Sequence, residues 1–437
     1  MNIRKKIKYK VKTPLIDWLI KFSLKMNWPI LTGLSLSWAV TKANNRGQYT
    51  VLCLGRSIFT NDIDALAYFG KKIKYLVINL KYFDFFLEHF IASEDLNNIT
   101  ENNYYDTDFG QAGKRKLNHY LKKVLPWWQR FSGFSAIMSG NFSYIQQQEL
   151  SKVCEEKNFP FIVLHKEGVA IPGNFEKLTQ QCKSQRFFGT KMLLYNDQIK
   201  QALLTAKIFG LTENRLKIVG MPRIDYYFSE KPGNSLIDQK KITFFSFLPR
   251  DKFWYTVADE HDLNQIEKRS SEFHFWIMLF AQKHPDYQVI IKTKVAEHFV
   301  DYVSAILKDK FNQPINNLKI INVGNPFELI QQAKVILGFN STALIEAIAN
   351  DKMIITPYFG DIITGCGWDY FLNYPNLVNY AKTYDELENY ILALSHMVEY
   401  NQDKKNAFLQ DFIYLPDGQA SLRTEDEIIK IINKPNQ

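Results

Sequence analysis

The sequence predicts an α/β protein made of two Rossmann-like, doubly wound domains in series. Three observations carry this. Strand-like apolar runs alternate with amphipathic helical stretches along the chain. The alternation is interrupted by SEKPGNSLIDQK, which gathers Pro, Gly, Ser and charge as linkers do. At 437 residues the chain also exceeds what one ordinary core holds. The expected layout is a basic amphipathic segment over residues 1–45, a first Rossmann-like domain over 46–228, a linker over 229–240 and a second Rossmann-like domain over 241–437.

In the first half, YTVLCLG reads as a buried strand, IDALAYFG as a helix segment and KYLVINL as the next strand. Residues 82–134 are less regular and rich in Asn, Asp and Tyr. They include PWWQRF, whose Trp127 and Trp128 suit an acceptor site or, better, a packed interior. SAIMSGN then gives a strand, IQQQELSKVCEEKN a helix, FPFIVLHKEG a strand with a polar end, MLLYNDQIKQALLTAKIFG a strand and helix, and RLKIVGMPRIDYYF a closing strand and turn. After the linker the alternation restarts with KITFFSFLP, a helix through SSEFHFWIMLFAQKHP, YQVIIKTKV, NLKIINV, FELIQQA and KVILGFN, and it ends in a helix around TYDELENYILALSHMVEY. In such sheets the functional crevice lies at the carboxyl ends of the strands.

Charge is uneven. The net +9 is partly concentrated at the start, where Arg4, Lys5, Lys6, Lys8, Lys10 and Lys12 precede any acid. LIDWLIKFSLKMNW follows, with Leu15, Trp18, Leu19 and Phe22 on one helical face. Asp17, Lys21 and Lys25 break the run too often for a bilayer span, and no small-residue cleavage site marks a signal peptide. Two readings stand: a basic helix lying on an anionic membrane, or a helix packed on the body behind a solvated tail. No recognition motif accompanies the charge, so nucleic acid is not an expected partner. Cys53, Cys154, Cys182 and Cys366 show no metal or disulfide spacing, which suits a reducing cytoplasm, including the inner face of the cytoplasmic membrane.

In KVILGFNSTALIEAIANDKMIITP a strand delivers Asn340, Ser341 and Thr342 to a helix start. Amides and hydroxyls there can cap the helix or hold a phosphate oxygen. Glu346, about one turn further in, can accept hydrogen bonds from ribose hydroxyls or simply favour the helix dipole. Lys292 and Lys294, at alternate positions after YQVII, fall on one side, where two ammonium groups can offset leaving-group charge or stay solvated. Gly55-Arg56-Ser57 is a weak acceptor-side candidate. Asp62 and Asp64 suit a helix start, and no acidic pair suggests a metal site. His284-Pro285 reads as a helix end.

The GFNSTALIEAI...P segment resembles the donor-binding signature of GT-B nucleotide-sugar glycosyltransferases and of the related CDP-glycerol polyol-phosphate transferases. RLKIVGMPRID resembles the turn that closes the first domain in that group, and FIVLHKEG falls where the polyol-phosphate transferases carry a catalytic histidine. The overall look is that of bacterial capsule and surface-carbohydrate biosynthesis proteins.

The resemblance implies two Rossmann-like domains facing across a cleft, acceptor domain first and nucleotide-donor domain second. It implies Asn340, Ser341, Thr342 and Glu346 as donor-binding residues, with Lys292, Lys294 and Arg223 beside them. For Arg223 a structural role, an ion pair with Asp225 or a neighbouring helix, is favoured over the donor phosphates, because Gly220 and Pro222 already explain the turn. His165 takes the catalytic position, but Lys166-Glu167 replaces the usual following sequence, which brings in Glu167 as the preferred general base. No adjacent His-Pro follows Lys292, a second departure from the polyol-phosphate pattern. The expected function is an inverting, metal-independent glycosyltransferase without cofactor. It moves a sugar from a nucleotide donor, CMP-activated sugars included, to a surface glycan or lipid-linked acceptor. A CDP-alcohol polyol-phosphate transferase, a non-catalytic scaffold of a glycan-assembly complex and a sugar-nucleotide epimerase are the alternatives.

Overall fold

A computed structural model describes residues 3–56, 58–167, 175–229, 238–248, 260–360, 369–393 and 401–434. Most of the expected linker, together with Ser57, Gly168 and Cys366, lies outside the described residues. The chain forms two compact units. The first collects residues up to 167, then 178–225 and the segment from Ile413; the second runs from Tyr226 to Phe412, with 175–177.

The first unit holds seven strands, β1 (Thr41–Lys42), β2 (Tyr49–Gly55), β3 (Ile73–Asn79), β4 (Ala136–Ser139), β5 (Phe161–Leu164), β6 (Lys191–Leu194) and β7 (Leu216–Ile218). Their order is β1-β3-β2-β4-β5-β6-β7, parallel throughout except for β1 on the edge. Val51 to Leu54 of β2 and all of β4 and β5 are buried, because a parallel sheet is covered on both faces. YTVLCLG is β2 residue for residue, and KYLVINL falls on β3 with a shift of one.

Residues 82–134 are largely helical rather than irregular, with helices at Asp84–Phe90, Ser93–Asn98 and Gln111–Ser132. The last carries Pro126 inside it and still buries Leu117, Leu121, Val124, Leu125 and Trp128 along one face. Trp128 is therefore core, while Trp127 stacks on Phe131 at 6.1 Å between ring centres. Helices α1 (Ile3–Lys25) and α2 (Pro29–Ala39) pack with this part of the unit. Gly33 permits the approach: a Cβ there would stand 2.9 Å from the Trp128 backbone nitrogen.

The chain returns to the first unit at its C-terminal end, whereas the sequence layout assigned everything after 240 to the second domain. In the helix Ala420–Ile432, Glu425 accepts hydrogen bonds from the amides of Lys72 (3.0 Å) and Ile73 (3.2 Å) at the start of β3. Asp225 in turn accepts from the Ala420 and Ser421 amides at 3.0 and 2.6 Å, as a helix N-terminus favours.

The second unit holds β8 (Asp238–Phe245), β9 (Gln288–Lys292), β10 (Leu318–Ile321), β11 (Ala333–Gly338), β12 (Met353–Pro357) and β13 (Asn379–Ala381). All pairs are parallel, in the order β10-β9-β8-β11-β12-β13. Sequential numbering within this sheet gives 3-2-1-4-5-6, the doubly wound order whose direction reverses between β8 and β11. The expected α/β class with two Rossmann-like sheets is what the chain adopts.

Candidate functional site

In an open parallel sheet, ligands bind beyond the carboxyl ends of the strands where the strand order reverses. In the second unit that point lies between β8, which runs into Ser246 and Phe247, and β11, which runs into Phe339, Asn340 and Ser341. Asn340 sits in the left-handed region at φ +43°, a conformation Asn tolerates, and its side-chain oxygen accepts from the Tyr370 amide at 3.1 Å. Ser341 is the N-cap of the helix Thr342–Ala349, its Oγ accepting from the Ala343 amide at 3.3 Å. Ser341 and Thr342 are half-buried, so this helix start retains contact with solvent.

The other candidates from this unit are placed differently. Glu346 is buried, and its Oε2 accepts from the buried Tyr227 hydroxyl at 2.9 Å. Lys292 turns its ammonium onto the carbonyls of Thr293 (2.6 Å) and Asn322 (3.1 Å), and burial lowers its pKa. Lys294 is exposed, its ammonium 5.1 Å from the ring centre of Phe299. The two lysine ammonium groups thus make different contacts.

In the first unit the order reverses between β2 and β4, and the strand ends carry Arg56, Gly140-Asn141 and His165-Lys166-Glu167. His165 is buried, its ring 5.6 Å from that of Phe142. Burial pushes its pKa down to about 4; Glu167 opposes that shift and Lys166 adds to it. Among the described residues His165 Nδ1 has no hydrogen-bond partner and is shielded from solvent. Glu167 is ion-paired to Lys166 at 2.9 Å, with about half of its side chain exposed. Burial raises the Glu167 carboxyl, but Lys166, His165 and Arg223 together outweigh it and hold the group below the ordinary carboxylate value. That makes Glu167 a weaker proton acceptor than the sequence suggested. Arg56 and Lys166 both lie against the Tyr144 ring, at 4.3 and 5.9 Å from its centre, so two cations share one aromatic ring.

Arg223 takes the structural role that the turn chemistry favours, with Asp62 as its partner in place of Asp225. It is 4% exposed, and its Nη1 donates to both Asp62 oxygens at 3.2 and 3.1 Å, while the Tyr195 hydroxyl donates to Asp62 at 2.7 Å. Asp62 lies on helix α3 (Phe59–Phe69) and is fully buried, so its role is this pair rather than dipole stabilisation. The turn feeding Arg223 into place uses Gly220 at φ +90° and Pro222 at the start of a short 3-10 helix. Arg223 is thereby a buried structural charge with a carboxylate partner, not a group presented to donor phosphates. His284 follows the helix Glu260–Lys283 and pairs with Glu388 at 2.9 Å, consistent with a helix end.

No family model matches the sequence, and no curated protein matches it. Among solved structures, the wall teichoic acid polymerase TagF superposes with a TM-score of 0.50 at 13% identity, covering 98% of both chains. The fold is GT-B-like. The UDP-GlcNAc 2-epimerase of Neisseria meningitidis aligns at a TM-score of 0.47 and 11% identity, over 88% of this chain and 100% of its own. That of Methanocaldococcus jannaschii aligns at 0.47 and 13%, over 87% and 99%. Identities this low speak to the fold alone.

On this GT-B-like frame one constellation escaped the sequence reading. Ser246, at the end of β8, contacts His274 Nε2 at 2.8 Å, and His274 Nδ1 lies 2.7 Å from the Ser270 carbonyl. A carbonyl only accepts, so Nδ1 carries the proton and Nε2 accepts from the Ser246 hydroxyl. Burial pushes His274 down to about 4 against the opposing Ser270 carbonyl, so the imidazole is neutral at pH 7. Phe247, Phe339 and Phe359, the aromatic residues just past β8, β11 and β12, pack together behind these strand ends. The signal was an aromatic residue following each strand, in FSF, GFN and YFG. Among the described residues no three His, Cys, Asp or Glu side chains converge on a metal position.

Proposed function

We propose that this chain is an inverting glycosyltransferase that moves a sugar from a nucleotide donor to a surface glycan or lipid-linked acceptor. The supporting observation is the second unit's switch point, where a half-exposed Ser341-Thr342 helix start ends β11 and a histidine-held Ser246 ends β8. The Ser341 and Thr342 hydroxyls and the amides of the helix start suit donor phosphates, and the helix adds its dipole. In the reaction, the acceptor oxygen forms a bond to the anomeric carbon as the bond from that carbon to the donor phosphate breaks. The acceptor proton passes to the base, and the charge left on the phosphate is met by Ser341 and Thr342.

His165 is the base in this proposal, with Glu167 set aside because Lys166 neutralises it. A base with a low pKa is unprotonated at pH 7 and free to accept a proton. Glu346 keeps a ribose-facing role only if Tyr227 yields its hydrogen bond. A cytidine donor is the first choice, in keeping with the capsule-like resemblance, and no metal or cofactor is required. Activity is expected to survive chelation; its loss, with restoration by Mg²⁺ or Mn²⁺, would contradict that.

The TagF likeness keeps one alternative in view, transfer of a polyol phosphate from a CDP-alcohol. Product analysis separates the two, since that reaction leaves phosphate in the product and glycosyl transfer does not. Binding comes first: in a panel of CMP, CDP, UDP and GDP, one nucleotide should raise the melting temperature by several degrees, about what ligand at 100 times Kd gives a domain of this size. Stabilisation by none of them would favour the scaffold reading.

A further inference from the structure

Helix α1 has two unlike faces. Ile16, Ile20, Ser23 and Leu24 are buried against the first unit, whereas Leu15, Trp18 and Phe22 are 57%, 58% and 37% exposed, and Met26 just beyond the helix is 57% exposed. Trp18 and Phe22 stack at 5.2 Å on that outer face, and exposed Lys21 and Lys25 border it. Trp28 at the turn and Ile30 and Trp38 on α2 are also exposed. Together these are seven of the 18 large hydrophobic side chains exposed among the described residues, gathered within residues 15–38. Isolated exposed apolar residues are ordinary on a soluble surface, but such a concentration marks a contact face.

We propose that α1 and α2 form a docking surface for an anionic lipid membrane. Two features choose the occupant. The first is charge: exposed Lys21 and Lys25 border the aromatic face, and the sequence ahead of it carries Arg4, Lys5, Lys6, Lys8, Lys10 and Lys12 with no acid among them. A second copy of the chain would bring the same cations to the same place, whereas anionic headgroups neutralise them. The second is the residue type. Tryptophan prefers the headgroup boundary, where its ring is apolar and its N–H stays wet. No described helix is long and apolar enough to cross a membrane, so the helices lie along the surface with the aromatic face down. Each lysine near such a surface multiplies the partition about fivefold.

The inference does not depend on the transferase reading, because vesicle binding is measured without substrate. The full chain is floated with phosphatidylglycerol–phosphatidylcholine vesicles and with phosphatidylcholine alone. Binding is expected only to the anionic vesicles, weakening more than tenfold at high salt, with a blue shift of tryptophan emission. Trp18→Ser with Phe22→Ser should cut binding more than tenfold, and Lys21→Glu with Lys25→Glu at least tenfold. Both pairs are surface changes, and unchanged circular dichroism and melting temperature should verify the fold. Binding to neither vesicle overturns the proposal. So does anionic-vesicle binding that both double variants leave intact. Self-association lost in Trp18→Ser, without vesicle binding, would instead assign the face to a second copy.

Discussion

His165 and His274 invite comparison because they share an environment and differ in their partners. Each is a buried imidazole near a strand end of its own sheet, and burial pushes each down to about 4. His274 has both nitrogens engaged, one to the Ser270 carbonyl and one to the Ser246 hydroxyl. His165 has a buried Nδ1 without a partner among the described residues. A satisfied buried histidine belongs to the scaffold and fixes the group it holds. An unsatisfied one costs about 1–3 kcal/mol, a cost retained where a ligand or reacting group supplies the missing partner.

The comparison predicts opposite signatures. The largest effect is expected from His165→Gln, which should lower the transfer rate about 100- to 10,000-fold as removal of a general base does, while nucleotide binding and melting temperature change little. A large stability loss with unaltered turnover would erase the distinction. His274→Ala should do the reverse: about 2–4 kcal/mol of stability lost from the cavity and the stranded Ser246 and Ser270 groups, read from denaturant midpoints. Asp62→Ala should cost about 3–5 kcal/mol by leaving Arg223 buried without its carboxylate.

Acid provides a smaller, shared effect. Both imidazoles bind protons less readily folded than unfolded, so their contribution is complete above pH 6.5 and is lost as the pH falls towards 4. The loss is about 1.4 kcal/mol per pH unit per group, and His165→Gln should remove about half of that slope. Buried Asp225, raised to about 6, shifts stability in the opposite sense over the same range, so the test is the difference between the parent and His165→Gln; a difference that stays constant between pH 6.5 and 4 would contradict the burial of the His165 ring. Glu346→Gln should be milder still, at about 1 kcal/mol, because an amide oxygen still accepts from Tyr227.

Much of the fold was legible because buried parallel strands are continuous apolar runs, and β2, β4, β5 and β11 stand out for that reason. Harder features were those whose partners lie far along the chain. Periodicity marks Ala420–Ile432 as a helix but does not say that Glu425 will cap the start of β3, more than 350 residues earlier. Arg223 was conspicuous, yet its partner Asp62 is 161 residues away and looked like an ordinary helix-start acid. Ser246 and His274 belong to a strand end and a helix, and nothing in FFSFLP or EFHFW alone joins them. The Ser341 cap was legible because it is local: a strand, a polar pair and a helix in succession.

The central claim is that the β8 and β11 ends hold a nucleotide. Titration calorimetry of the intact chain with CMP, CDP, UDP and GDP, repeated on Ser341→Ala and Thr342→Ala, tests it most directly. Saturable binding of one nucleotide, weakened about tenfold by either substitution as the loss of one hydrogen bond to a charged group implies, is the predicted result. Absence of binding to the unaltered protein, or binding that neither substitution affects, would contradict the account.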